Sequence, residues 1–367
     1  MYRQKFYGRQ EKIMPANVKA AAGYSIKIRK GLVERIGLEI LRLSDEKECE
    51  IALITDEKVS GMYLQKVILN ARECPKPEGT KLRICEVLIN PHEDTKNFGL
   101  IAKILEDMAA LGLSKNCVVA ALGGGVVCDA AGFAAGVYMN GVRLVLVPTT
   151  LAAMVKASTG NHARVNLSAG ENMAGMAYTP SLVLCDTECL KTLPDDEYRS
   201  GLAEALKTAI VSGGEMFRIF EKGADSESVE RIIEECIRFR AGISGDDERV
   251  KWLKLGCVVG SAIGALSGYG IQHGLATAQG IGITARAAAK MEWCSEDTAE
   301  RIIAALEKNN LPCVCSEYKP SEIAQTAIKS GGKVIDMVVP VEIGKCEVKH
   351  IEAEELEHVI SLGMGRE

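Results

Sequence analysis

The chain has 367 residues, 47% hydrophobic and 25% charged, which is enough for two domains with real cores. A net charge of -5 without a basic block excludes a typical nucleic-acid partner, and no apolar run approaches the ~18 residues that cross a bilayer. The charged start "MYRQKFYGRQEKIMP" lacks the apolar centre of a signal peptide, so a cytosolic protein with a small-molecule substrate is expected.

In chain order the first half alternates. "YSIKI" (24–28) reads as a strand and "GLVERIGLEILRL" as an amphipathic helix. "CEIALITD" is a buried strand, "EKVSGMYLQKVILNA" a helix, "LRICEVLI" a strand, and "NFGLIAKILEDMAALGL" a helix. "NCVVAALGGG" is a strand running into a loop, and "VRLVLVPTT" a further strand. Continuous apolar strands alternating with helices predict a parallel sheet covered on both faces. After "SLVLCDTECLKTLP" the pattern changes. From Asp195 to about Ser330 nearly every segment has helical periodicity. The tail "KVIDMVVPVEIGKCEV" reads as a strand pair and "EAEELEHVISLG" as a last helix. The expected organisation is an α/β domain over 1–187 and a mainly helical domain over 188–367, with a ligand cleft between them.

The 13 cysteines are odd in number and scattered, so buried reduced thiols are expected rather than a disulfide framework. Cys313 and Cys315 lack the spacing and the second pair of a zinc knuckle. Gly123, Gly124 and Gly125 lie where a buried strand turns into a helix. Backbone N–H groups at a helix start carry partial positive charge and attract phosphate, which a Cβ would hold away. The spacing is not that of G-x-G-x-x-G, since Cys128 occupies the last position. A tight packing turn is the alternative reading.

"ALGGGVVCDAAGFAAGVYMNGVRLVLVPTTL", "VNLSAGENMAGMAYTP", "LVLCDTECLKTLP" and "GLAEALKTAIV" together closely resemble the 3-dehydroquinate synthase family of sugar-phosphate cyclases, over about residues 24–280. The resemblance implies a dehydroquinate synthase-like fold, a homodimer and an NAD site. Gly123, Gly124 and Gly125 would take the pyrophosphate, with Asp129 just beyond. Thr149 and Thr150 match a nucleotide-contacting pair, and Asp56 an acid placed for the ribose. Glu93 and Lys96 in "HEDTK" fit an adenosine-side pair, and Thr187, Leu190, Thr192 and Leu193 fall in a shared block. Cys128 replaces a family glycine, and a helical φ is expected there.

The chemical half departs from the family. Its metal site is one Glu and two His. Glu204 matches the Glu, Lys207 is retained one turn on, and His273 matches one His. "NxGHTxGHA" becomes "KLGCVVGSA", so the other ligand is Cys257, and Ser261 stands for a further His. Glu, Cys and His can hold zinc; the alternative is a dead site with Cys257 as core. In the substrate cradle His162 replaces the key Lys, Lys156 an acid and Arg164 a small residue, while Asn166 and Asn172 survive. Glu171 replaces a Lys and Asn140 an Arg; Arg143 is kept. His162 is either a general base near neutral pH or a loop histidine without a role.

Removing basic residues where a dianionic phosphate binds costs ~1.5–3 kcal/mol per charge-assisted contact. The sequence therefore points to an NAD-dependent cyclase or lyase with transient hydride transfer on a polyol or sugar acid other than the orthodox substrate. An NAD-dependent polyol dehydrogenase of the glycerol dehydrogenase type and a catalytically inactive NAD-binding partner are the alternatives.

Overall fold

The computed structural model of the protein describes residues 16–19, 23–43, 48–74, 76, 78–92, 95–156, 162–168 and 170–365. It divides into two compact units, Met1–Thr192 and Leu193–Glu367.

The first unit is built on strands β1 (Ala16–Lys19), β2 (Ser25–Ile28), β3 (Glu48–Asp56), β4 (Lys81–Ile89), β5 (Val118–Gly123), β6 (Arg143–Pro148) and β9 (Leu182–Cys185). They form one sheet in the order β1-β2-β9-β6-β5-β3-β4. β1 pairs antiparallel with β2, and the other six strands run parallel. The central strand β5, "VVAALG", is buried along its whole length, as a strand covered on both faces must be. Helices α1 (Ile36–Leu41), α2 (Glu57–Glu73), α3 (Phe98–Ala110), α4 (Gly125–Val137) and α5 (Leu151–Lys156) make the crossovers. The helix read across 31–43 is shortened: a 3₁₀ turn at Val33–Arg35 precedes α1.

The strand order gives the sheet a switch point. From β3 the chain adds β4 on one side, then returns to place β5, β6 and β9 on the other. Ligands of open α/β sheets bind outside the carboxyl ends of the strands flanking such a point. Here those ends carry Asp56 on β3 and Gly123 on β5.

Residues His162–Leu167 (β7) and Gly170–Ala177 (β8) form a separate antiparallel hairpin. Its segment "GENMAGMA" has neither the alternation nor the β-branched residues of a typical strand, so nothing in its pattern announces it.

The second unit holds α6 (Asp195–Ser212), α7 (Gly214–Lys222), α8 (Val229–Gly242), α9 (Asp247–Trp252), α10 (Cys257–Leu266), α11 (His273–Lys290), α12 (Glu296–Lys308), α13 (Pro320–Gly331) and α14 (Ala353–Met364). The strand pair expected in the tail is β10 (Val334–Glu342) with β11 (Lys345–Glu352), antiparallel. The core lies among α10, α11, α13, α14 and this pair, with Val259, Ile263, Ile283, Ile323, Met337 and Ile360 buried in it.

α9 ends at Trp252 and α10 begins only at Cys257, so the helical period does not run on through 252–268. The break is Gly256, at φ +74, where an added Cβ would meet Ile281 backbone N at 2.7 Å. Only glycine satisfies both the left-handed turn and that approach. Close approach also sets the start of α11: a Cβ on Gly274 would stand 2.0 Å from the Ser200 carbonyl oxygen. The Gly274 N–H donates to Ser200 Oγ at 3.0 Å, locking α11 against α6.

Candidate functional site

The glycine turn has a graded architecture. A Cβ on Gly123 would lie 2.6–2.9 Å from three atoms of the Val127 side chain, so this glycine is required by packing. On Gly124 a Cβ would make an ordinary 3.4 Å contact with Thr150 Cγ2. On Gly125 it would meet nothing within 4 Å. The protein itself leaves that side open at the first residue of α4. No acidic residue lies in the first turn of α4, so nothing local offsets the positive end of the helix. Thr149 is buried and its N–H donates to the Gly123 carbonyl at 2.9 Å, holding the β5 and β6 ends together. Cys128 sits inside α4 and is absent from the residues at positive φ, as expected. Its thiol is fully buried and pushed well up by burial, so it acts as packing.

Asp56 is the N-cap of α2: its carboxylate accepts the Val59 N–H at 2.9 Å. Capping fixes the side chain at the end of β3. Thr187 and Leu190 are buried in the 3₁₀ turn Thr187–Thr192. Asp186, just before it, accepts backbone N–H groups from Gly31, Val33 and Glu188. Thr192 is exposed and shares a 2.8 Å hydrogen bond with Tyr63. Leu193 opens the second unit, half-buried. Glu93 lies outside the described residues.

Lys96 is only 4% exposed. Its ammonium donates to Asp129 Oδ2 at 3.1 Å and to Asn172 Oδ1 at 2.7 Å. The Asn172 N–H donates to Asn166 Oδ1 at 2.7 Å, and the Asn166 N–H donates to the Lys96 carbonyl at 2.7 Å. Lys96, Asn172 and Asn166 thus close a ring that fastens the β7–β8 hairpin to α4 through Asp129. Asn172 holds φ +55, which this ring stabilises. The two asparagines, retained in the substrate cradle, use these groups within the ring. His162 is exposed at the start of β7 and lines a small pocket with Cys128, Asp129, Gly132 and Tyr178.

In the second unit α6 carries Glu204 and Lys207 one turn apart, both almost wholly buried. Lys207 Nζ lies 2.8 Å from Glu204 Oε2 and 3.8 Å from Cys257 Sγ. Burial disfavours the Lys207 ammonium, but the Cys257 sulfur and the Glu204 carboxylate outweigh it and hold the group above the ordinary lysine value. His273 Nε2 is 3.5 Å from Glu204 Oε1, with more than half its side chain exposed.

The three residues that the resemblance offers for zinc therefore do not close into a donor set. Glu204 meets His273, and Cys257 meets Lys207. Among the described residues no three His, Cys, Asp or Glu side chains come together as a metal site. The Lys207 ammonium stands beside both Glu204 and Cys257.

One residue was missed by the sequence reading. Arg240 of α8 donates from Nη2 to Thr208 Oγ1 at 3.2 Å. Its Nε is buried with no hydrogen-bond partner among the described residues. Arg240 lies 33 residues from Lys207 in the chain, so only the folding of α8 onto α6 brings the two cations near each other. Its position on a half-buried helix face, "RFR", was the one available signal.

The chain thus combines a parallel sheet with a glycine turn at its switch point and a helical unit with a buried ionic cluster. It superimposes with a TM-score of 0.81 on a 2-deoxy-scyllo-inosose synthase complexed with carbaglucose-6-phosphate, NAD+ and Co2+, at 20% identity over 95% of this chain and 99% of that one. It superimposes at 0.78 on a 2-epi-5-epi-valiolone synthase from Streptomyces hygroscopicus with NAD+ and Zn2+ bound, at 21% identity over 98% and 99%. Residues 86–200 match the 3-dehydroquinate synthase N-terminal family and residues 201–330 the 3-dehydroquinate synthase C-terminal family. The 3-dehydroquinate synthase of Pelobacter propionicus is 33% identical over 347 residues, 91% of this chain and 94% of that protein. The chain belongs to the 3-dehydroquinate synthase family. No helix among the described residues is long and apolar enough to cross a membrane.

Proposed function

We propose that this chain is an NAD-dependent enzyme of the cyclase or lyase type, acting on an anionic polyol or sugar acid other than the substrate of orthodox 3-dehydroquinate synthase. The observation that carries the reading is Gly125: its α-carbon faces open space at an uncapped helix start, outside the carboxyl end of the central strand.

The residues fit a dinucleotide. Gly124 and Gly125 would present N–H groups to its diphosphate, with Thr149 and Thr150 beside them. Asp56, at the neighbouring strand end, would accept from a ribose hydroxyl. NAD, when bound, supplies a hydride acceptor. Lys96 neutralises Asp129, so the acid can accept a hydrogen bond near the cradle without adding net charge against a diphosphate. His162 lies in the same pocket as Asp129, where an imidazole could serve as a proton donor or acceptor to a substrate.

On the helical unit Lys207 and Arg240 offer two cations for an anionic substrate group. Arg240 supplies a planar donor set of which Nε has no protein partner among the described residues. Glu204 balances one of the two charges. Glu171 and Asn140 replace the basic residues of the orthodox cradle, so an orthodox sugar phosphate loses ~1.5–3 kcal/mol for each lost contact.

The test is product analysis with purified protein and NAD+ over a panel of phosphorylated and unphosphorylated sugar acids and polyols. A product at the substrate's own oxidation state, without net NADH, is expected, with no turnover of the orthodox seven-carbon substrate. Steady NADH accumulation from a polyol would move the assignment to a dehydrogenase. NAD+ binding without turnover of anything in the panel would favour a non-catalytic partner.

A further inference from the structure

We infer that the open face of the β7–β8 hairpin binds an oxyanion, and that Arg164 is the residue on it that selects the substrate's anionic group, a carboxylate or a phosphate. This rests on the reading of an anionic substrate and assigns the residue of the α/β unit that recognises its charge.

The hairpin has two different faces. Successive residues of a strand point to opposite sides, and directly paired residues share a side. Ala163 and Val165 are buried, on the side that packs on α4. Two glycines of α4 admit that side: a Cβ on Gly132 would stand 3.2 Å from Ala163 Cβ, and one on Gly136 would stand 2.6 Å from Met176 Cε. His162 and Arg164 lie on the other side and are exposed, as are Ala177 and Gly175 directly opposite them. Lys96 holds the hairpin in this orientation by donating to Asp129 on α4 and to Asn172 on β8.

The open face is built around Arg164. On its partner Gly175 a Cβ would meet the Ala163 carbonyl oxygen at 2.8 Å and Arg164 Cγ at 3.1 Å, so the arginine stem lies over the glycine. A glycine inside a strand weakens it and marks a close approach; here the approaching group is that stem. With Ala177 opposite His162, no large side chain of β8 covers either residue. Among the described residues neither the Arg164 nor the His162 side chain is engaged in a hydrogen bond, ion pair or ring contact. The guanidinium therefore keeps its planar fork of donors for a ligand, and that fork matches a carboxylate or a phosphate through two parallel hydrogen bonds. His162, two residues along the same face, offers a ring nitrogen and also borders the pocket that holds Asp129. A strand fastened at Lys96 presents both groups with little freedom left to lose on binding.

The test uses the full chain, with and without saturating NAD+, and two probes, inorganic phosphate and gluconate. Modification of Arg164 by phenylglyoxal is followed by peptide mass spectrometry, with exposed Arg231 of α8 as the internal control. At least fivefold slower modification of Arg164, with Arg231 unchanged, is expected. Protection by phosphate alone assigns a phosphate ester, by gluconate alone a sugar acid, and by both the oxyanion chemistry they share. In titration calorimetry Arg164→Ala should weaken the protecting probe at least tenfold and leave NAD+ affinity within twofold. Arg164 is exposed, and circular dichroism checks that the variant is folded. Equal Arg164 rates with and without both probes, equal protection of Arg164 and Arg231, or full probe affinity in Arg164→Ala would each overturn the inference, even where NAD+ binds and the enzyme turns over. Protection of Arg164 in a protein that binds no NAD+ would instead remove the nucleotide reading and leave the oxyanion face standing.

Discussion

Two substitutions two residues apart in the glycine turn should act in opposite senses. In Gly123→Ala the new methyl lands 2.6–2.9 Å from the Val127 side chain, which is fully buried in the first turn of α4. Valine in a helix holds one χ1 rotamer, so it cannot swing clear. Overpacking of this kind costs ~1–3 kcal/mol. At roughly 2–4 °C per kcal/mol for a unit of this size, the first transition should fall by roughly 2–12 °C. Gly125→Ala meets nothing within 4 Å, and Gly125 has no positive φ. It should hold or raise stability by ~0.4–1 kcal/mol through the unfolded chain. The same methyl projects into the space assigned to the diphosphate, so NAD+ affinity should drop about tenfold or more, a loss of ~1.4 kcal/mol at least. Thermal unfolding of both variants with and without NAD+ separates the effects. The reasoning fails if Gly125→Ala is destabilised as much as Gly123→Ala, or if it keeps the full NAD+-induced shift.

Lys96→Met leaves Asp129 and Asn172 without their shared donor, and breaking such a pair costs ~3–5 kcal/mol when fully buried. Because Asp129 is one quarter exposed, a loss at or below the low end of that range is expected in denaturant unfolding. Gly274→Ala puts a methyl 2.0 Å from the Ser200 carbonyl oxygen, a backbone contact that cannot yield without separating α11 from α6. Loss of the helical unit's cooperative transition is expected by calorimetry. Lys207 is held above the ordinary lysine value of ~10.4. Its stabilising contribution is therefore complete below that pH and fades as pH rises through the folded-state value. Alkaline denaturation should begin at the helical unit, and Lys207→Met should remove that pH dependence.

The α/β unit was legible because its strands are buried on both faces. "CEIALITD" and "NCVVAALGGG" read as continuous apolar runs, and the helices between them keep their period. The hairpin β7–β8 was not, because its glycines, alanines and methionines carry no alternation, and its hold on the unit comes from Lys96, some 70 residues earlier by the Lys96–Asn172 separation of 76. The break at Gly256 hid for a related reason: what forbids a side chain there is Ile281 and Thr277 on another helix. The nucleotide cradle could be found from Gly123–Gly125 alone, but not the division of labour within it, where one glycine serves packing and another leaves room. The ionic cluster shows the limit most clearly. Glu204, Cys257 and His273 could be aligned by motif, yet the pairing of Cys257 with Lys207 depends on side-chain length and on where α10 starts. Arg240 belongs to no sequence motif, and only the packing of α8 on α6 brings it to the cluster.

Titration calorimetry of the purified chain with NAD+ and NADH, run beside Gly125→Val, tests the central claim most directly. One dinucleotide per chain in the unaltered protein, and none in a folded Gly125→Val protein, is the predicted result. Heat from neither dinucleotide, or equal binding by both proteins, would contradict the assignment of the glycine turn and the function built on it.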